Sequence, residues 1–297
     1  MNKQIFGVIP PLVTPMKENG DLDVEAYEKI INNCIEKGVH GIFTMGSCGE
    51  GSCVSRAMRL DVVKNAARIA DGRVPVMAGV IEASTARVIE GIKELEQTGV
   101  EYFVVTPAFY IGCTCQDEIV RHYEKICKSV KAAIIVYNIP PMAHADILPE
   151  TMVKLAAIDG IAAFKDSTSS WNLFQEGLFL KEKYNFTLLN GHEDLCGAGM
   201  LFGADGCVPS LGNVFPEIYV ELFEAAQAGD TKRVYGIQKK IWELRTSFGV
   251  GKSWISVLKY ICAKQGLMAD RVSMPIETLT PGEKVKIDRI IDTALSR

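Results

Sequence analysis

The sequence predicts an α/β protein, a (β/α)8 TIM barrel followed by a C-terminal helical extension. Three observations lead there. Short, almost continuous apolar runs recur along the chain, as strands buried on both faces do. Amphipathic stretches with helical spacing separate them. The alternation completes eight units, the number at which a parallel strand–helix repeat closes on itself. An open doubly wound sheet is the structural rival. It would more often carry a glycine fingerprint after its first strand, and "GVIPPLVTP" is nothing like one.

The strand candidates are IFGVIPPLV (5–13), GIFTMG (41–46), VPVMAGV (74–80), YFVVTP (102–107), AAIIVYN (132–138), GIAAFK (160–165), FTLLN (186–190) and GCVPS (206–210). Between the first two, DVEAYEKIINNCIEKG puts Tyr27, Ile30, Ile31, Cys34 and Ile35 on one helical face and stops at Gly38. STARVIEGIKELEQTG offers Ser84 or Thr85 as a cap and ends at Gly99. DEIVRHYEKICKSV and PETMVKLAAIDG have the same helical character. From Pro216 the strand rhythm gives way to helical segments with no Gly/Ser linker. The expected organisation is a barrel over residues 1–225 and a helical extension over 226–297 packed on it.

Composition narrows the function classes. With 48% hydrophobic and 23% charged residues, the 297-residue chain has the make-up of a soluble globular enzyme with a large core. The net charge is −4 and no long basic run occurs, which argues against nucleic-acid and anionic-membrane partners. No apolar run is long enough to span a membrane, and MNKQIFGVIPPLVTP lacks an apolar signal-peptide region. Nine cysteines form no CxxC pair, the closest being Cys113 and Cys115; this points to reduced thiols in a cytoplasm. His40, His122, His144 and His192 are far apart, so nothing supports a metal site.

In a barrel the chemistry sits where strands end at their C-terminal side. There this chain carries GSCGEG (46–51), TPAFY (106–110), YNIPP (137–141), Lys165, NGHED (190–194) and VPSLGN (208–213). Each has a plain structural reading. Lys165 could snorkel or pair with a carboxylate, Tyr137 could be core, GSCGEG a tight turn, and Glu193 and Asp194 solvated loop charges. The chemical reading needs them together. A lysine in a desolvated barrel mouth can attack a carbonyl and form a Schiff base. A tyrosine beside it can move a proton. Glycine-rich backbone N–H groups, helped by Ser47, can hold a carboxylate.

The ordered set GSCGE, YNIP and FKDS, with NG at 190–191, Asp194, GADG at 203–206 and Asn213, resembles the dihydrodipicolinate synthase and N-acetylneuraminate lyase family of Schiff-base, pyruvate-handling aldolases. The resemblance runs in order over nearly the whole chain. It implies that Lys165 forms the imine, that Tyr137 is the proton donor and acceptor, and that Ser47 relays. Cys48 stands where many members have a second hydroxyl for the pyruvate carboxylate; a thiol is a poor donor, so backbone N–H groups should carry more of that role. Val208 matches a position whose carbonyl faces the keto acid, and Gly191 belongs to the substrate-binding NG. Tyr110 resembles a tyrosine lent across a subunit interface, in a loop about two residues longer than is usual in the family. The implied assembly is a homotetramer, a dimer of dimers.

Departures from the synthases bear on substrate. Met142 occupies the position of an arginine in their YNVPSRT, removing a fork for a second carboxylate. KDS resembles 2-keto-3-deoxy sugar-acid aldolases, and Ser167, Glu193 and Asp194 match positions that bind substrate hydroxyls in neuraminate lyase-like members. The expected partners are pyruvate and a small aldehyde. No metal or organic cofactor is required, because the iminium supplies the electrophile. A synthase condensing pyruvate with aspartate semialdehyde, a dehydratase using the same imine, and a keto-acid-binding barrel without activity are the alternatives.

Overall fold

Eight strands form at the eight apolar runs, most of them shorter than their run. They are β1 (Gly7–Val8), β2 (Ile42–Thr44), β3 (Val76–Gly79), β4 (Tyr102–Val105), β5 (Ala133–Asn138), β6 (Ile161–Asp166), β7 (Leu188–Asn190) and β8 (Gly206–Cys207). β6 is as long as its run and ends one residue beyond it. The first run loses most of its expected length at Pro10 and Pro11, which have no N–H to give to a ladder. The structure, a computed structural model, describes residues 5–296. Residues 1–4 and 297, which the two expected domain ranges include, lie outside the described residues.

All neighbouring strands pair in parallel, in the order β1-β8-β7-β6-β5-β4-β3-β2. The ring closes where Pro11 bridges Phe43, with Leu12 N–H donating to the Phe43 carbonyl at 2.7 Å and Phe43 N–H to the Pro10 carbonyl at 3.0 Å. Along each strand the pleat alternates sides. Val104, Ile135, Tyr137, Ala163 and Leu189 fill the barrel interior, while Phe103, Val105, Ile134, Val136 and Phe164 pack outward under the helices. Lys165 follows Ala163 by two residues, so the same pleat that buries Ala163 aims Lys165 into the barrel mouth.

Two of the expected helices start at side-chain caps. Asp23 caps Val24–Glu36 through Ala26 N–H, and Gly38 turns left-handed at φ 86°. Ser84 rather than Thr85 caps Thr85–Leu95. Helix Pro216–Gln227 follows β8 and straddles the expected boundary at residue 225; helices Thr231–Arg245, Trp254–Lys264 and Pro281–Leu295 form the extension. The extension is pinned to the barrel mouth by a buried ion pair between Lys259 and Glu50 of the GSCGEG turn. Lys259 Nζ also donates to the Arg271 carbonyl at 2.6 Å, and Ser273 N–H donates to Glu50 Oε2 at 2.6 Å. Among the described residues, no helix is long and apolar enough to cross a membrane.

Candidate active site

A cavity of about 280 Å³ opens at the C-terminal ends of the strands, and Lys165 and Tyr137 line it side by side. Register explains the pairing: Tyr137 on β5 is the direct partner of Lys165 on β6. The Lys165 Nζ lies 3.8 Å from the centroid of the Tyr137 ring and 4.9 Å from that of Phe43. The residue is only 5% exposed, and among the described residues its amine makes no ion pair or hydrogen bond. The adjacent carboxyl does not help it. Asp166 points to the other face, where it accepts from Asn138 Nδ2 at 2.7 Å and Thr168 N–H at 2.9 Å. Burial pushes the Asp166 carboxyl up to about 6 against those two bonds.

The turn after β2 supplies Ser47 and Cys48 to the cavity. It coils tightly: Met45 and Glu50 are left-handed, at φ 58° and 55°. A Cβ on Gly51 would come within 2.1 Å of the Met45 carbonyl oxygen, so only glycine allows the chain to fold back there. Burial pushes the Cys48 thiol up to about 12, with Lys165 opposing, which keeps it protonated and a weak donor. Gly191 is equally constrained. A Cβ there would meet Ser167 Oγ at 2.2 Å and Lys165 Cε at 3.0 Å. The NG sequence thus lets two strand ends approach closely enough for Ser167, Gly191 and Lys165 to line one cavity.

Glu193 also lines the cavity, but not as the solvated loop charge its sequence setting allowed. It is 5% exposed. Its Oε1 accepts from Leu211 N–H and the Tyr219 hydroxyl, both at 2.8 Å, and its Oε2 accepts from Ser210 Oγ at 2.9 Å. The carboxylate is therefore largely occupied, and Ser210 beside it faces the same cavity. Val208, just after β8, completes the wall.

Two expected site residues stand elsewhere. Met142 lines a neighbouring cavity of about 240 Å³, which shares Ser47, Ile139 and Trp254 with the first. Tyr110 lines neither; it is 89% exposed, at φ 75° on the loop after β4. Conversely, the cavity takes residues the sequence reading passed over. His192 and Ser210 lie inside the NGHED and VPSLGN stretches already singled out. Arg245, Phe248 and Trp254 come from the extension, where only their place at or near helix ends could have marked them. Among the described residues, no group of three or more His, Cys, Asp or Glu could hold a metal ion.

The profile of the Dihydrodipicolinate synthetase family matches residues 4–294. The chain belongs to this family. It is 31% identical over 273 residues to the 4-hydroxy-tetrahydrodipicolinate synthase of Kosmotoga olearia, covering 91% of this chain and 92% of that one. It is 28% identical over 276 residues to an Escherichia coli K12 protein named "Probable 2-dehydro-3-deoxy-D-pentonate aldolase YjhH", covering 92% and 91%. The crystal structure of YagE of E. coli K12, a prophage protein of the dihydrodipicolinic acid synthase family in complex with pyruvate, superposes with a TM-score of 0.94 at 25% identity over 99% of each chain. As a dihydrodipicolinate synthetase family member, the protein is an aldolase-type lyase on a TIM barrel. Its relatives include one named as a synthase and one named as a probable sugar-acid aldolase.

Proposed function

We propose that the protein is a pyruvate-dependent class I aldolase that cleaves, or forms, the C3–C4 bond of a 2-keto-3-deoxy sugar acid. One observation carries the reading: a buried amine with no carboxylate partner, stacked on a tyrosine ring, at the base of a cavity lined by hydroxyl groups. Lys165 adds to C2 of the 2-oxo acid, water leaves, and the iminium draws electrons from C3. Tyr137, with Ser47 as relay, takes the proton of the C4 hydroxyl. The C3–C4 bond breaks, an aldehyde departs, and the electron pair stays on the enamine of pyruvate. Protonation at C3 and hydrolysis release pyruvate and the free amine. Backbone N–H groups of the 46–51 turn hold the keto-acid carboxylate, since the protonated Cys48 thiol donates weakly.

A second reading, condensation of pyruvate with aspartate semialdehyde, draws support from Arg245, a guanidinium in the cavity wall, and from the synthase name of a relative. Assembly fits either reading. Tyr110 and Ile111 are 89% and 90% exposed beside the second cavity, in which Thr106 Oγ1 is buried without a partner. A tyrosine from another subunit of a tetramer would bring a hydroxyl to that oxygen and to Ser47.

Borohydride reduction in the presence of pyruvate tests the chemistry. A covalent adduct on Lys165 in a tryptic map is the expected result, and an unmodified Lys165 peptide overturns the reading. A panel of aldehydes with pyruvate then separates the substrate classes: preference for a hydroxylated aldehyde supports the sugar-acid aldolase, preference for aspartate semialdehyde the synthase.

A further inference from the structure

The turn after β2 is tied to parts of the chain that never reach the reactive cavity. Residues 46–51 run between two buried residues in the left-handed region, Met45 and Glu50. That conformation is unfavourable for methionine and glutamate and persists where the surroundings hold it. Local bonds close only part of the coil. Glu50 N–H donates to the Ser47 carbonyl and Gly51 N–H to the Gly46 carbonyl, both at 3.1 Å. Among the described residues, the N–H groups of Ser47, Cys48 and Gly49 make no backbone hydrogen bond, and Ser47 and Cys48 line the reactive cavity. Successive free backbone donors of this kind suit an anion.

Two anchors hold the coil from outside. On the barrel side, Thr14 Oγ1 donates to the Gly49 carbonyl at 2.7 Å. On the other side the Glu50 carboxylate reaches into the extension. It pairs closely with Lys259 on helix Trp254–Lys264 and accepts from Ser273 N–H at 2.6 Å, beyond the end of that helix. Lys259 is fixed in turn by the Arg271 carbonyl at 2.6 Å. Both side chains of the pair are wholly enclosed. Glu50 borders the second cavity rather than the reactive one, and Lys259 borders neither.

We propose that Lys259 and Glu50 are positioning residues for the keto-acid carboxylate: through this pair the extension holds the 46–51 turn in the coil that offers its free N–H groups to the cavity. The inference rests on the reading in which that turn binds the carboxylate. Two physical effects act in the same direction. The pair fixes the side chain of a residue whose backbone is left-handed, so the coil cannot relax without breaking a buried ion pair. The second effect is charge. Glu50 adjoins the free donors, and its carboxylate alone would repel an incoming carboxylate across a low-dielectric interior; the Lys259 ammonium cancels it.

The test follows borohydride trapping on Lys165 against ketone concentration, with pyruvate and with methyl pyruvate, which has the same reacting carbonyl and no charge. Wild type is compared with Lys259→Met, with the Lys259→Met/Glu50→Gln double variant and with Ile261→Ala. Ile261 is buried on the same helix and gives no polar contact to Glu50, so its variant loosens the extension and leaves the pair in place. Wild type should half-saturate at a lower concentration of pyruvate than of methyl pyruvate. Lys259→Met should raise the half-saturating pyruvate concentration about tenfold or more, the size of one charge-assisted hydrogen bond. Methyl pyruvate, and the extent of trapping at saturation, should stay near wild type. The double variant strands no charge and keeps an oxygen for Ser273, so it carries the test if Lys259→Met does not fold, and it should show the same selective loss. Ile261→Ala should lower the urea midpoint and leave both half-saturations unchanged. Wild-type half-saturation for pyruvate in either pair variant, an equal shift for both ketones, or a shift of the same size in Ile261→Ala overturns the proposal. If wild type traps neither ketone, the aldolase reading falls and this inference with it. If wild type traps both with equal half-saturation, the imine chemistry stands and this inference falls.

Discussion

Among the described residues, two lysines are buried, and they keep different company. Lys259, on the extension, is wholly enclosed and meets Glu50 directly, with the Arg271 carbonyl as a further acceptor. Burial pushes its pKa below the ordinary value and Glu50 pushes back. Lys165, at the end of β6, has two aromatic rings against its amine and, among the described residues, no ion pair. Each lysine has a carboxyl within reach of its own element, yet Glu50 faces Lys259, while the pleat turns Asp166 away from Lys165 toward Asn138. Burial therefore does not identify a reactive amine. What distinguishes the two is whether the fold supplies a counter-charge: Lys259 has one and fastens the extension, whereas Lys165 has none, as the proposed attack on a carbonyl requires.

Exchanging the roles by mutation would break this comparison. Lys165→Ala should reduce turnover to background, while the urea midpoint stays near that of wild type, because no partner charge is left behind. Measurable aldol cleavage in that variant would remove Lys165 from the chemistry. Tyr137→Phe keeps the ring under the amine and deletes only the hydroxyl, so kcat should fall about a hundred- to ten-thousand-fold with the melting temperature unchanged. Equal rates in the two proteins would reduce Tyr137 to packing. Lys259→Met should do the opposite of Lys165→Ala. It strands Glu50 in the interior and should cost about 3–5 kcal/mol in equilibrium unfolding. A loss under about 1 kcal/mol would mean that the pair does not hold the extension to the barrel.

The smallest effect sharpens the comparison at Asp166. Folding raises its pKa from 3.8 to about 6, so between those values the folded chain binds more protons than the unfolded one. The contribution to stability is full below the unfolded value and is lost as pH rises through about 6. Over that window wild type should lose up to ~3 kcal/mol relative to Asp166→Asn, as read by unfolding at a series of pH values. Parallel profiles for the two proteins would show that Asp166 does not titrate there.

Much of this protein was legible in the chain itself. The eight strands, the capped helices between them and the inward aim of Lys165 follow from local rules: β-branched runs, Ser and Asp caps, glycine stops, and a period of two that carries Ala163 and Lys165 to the same side. Such signals span a few residues, because they reflect backbone geometry. The motifs at the strand ends likewise placed Ser47, Cys48, Tyr137, Ser167, Gly191 and Val208 on one rim before any coordinates, and these residues line one cavity.

Tertiary structure decided what meets those residues. Glu193 reads as a loop acid; only the approach of Leu211, Ser210 and Tyr219 turns it into a buried acceptor. Met142 and Tyr110 belong to the same rim in sequence, yet one lines a second cavity and the other lies on the surface. Glu50 and Lys259 are more than two hundred residues apart, and so are no more predictable as partners than Asp194 and Arg245. The physical reason is common to all of these. A side chain's own segment sets its direction, but its partner depends on how the ring closes and how the extension packs, and that geometry is a property of the whole fold rather than of any local pattern.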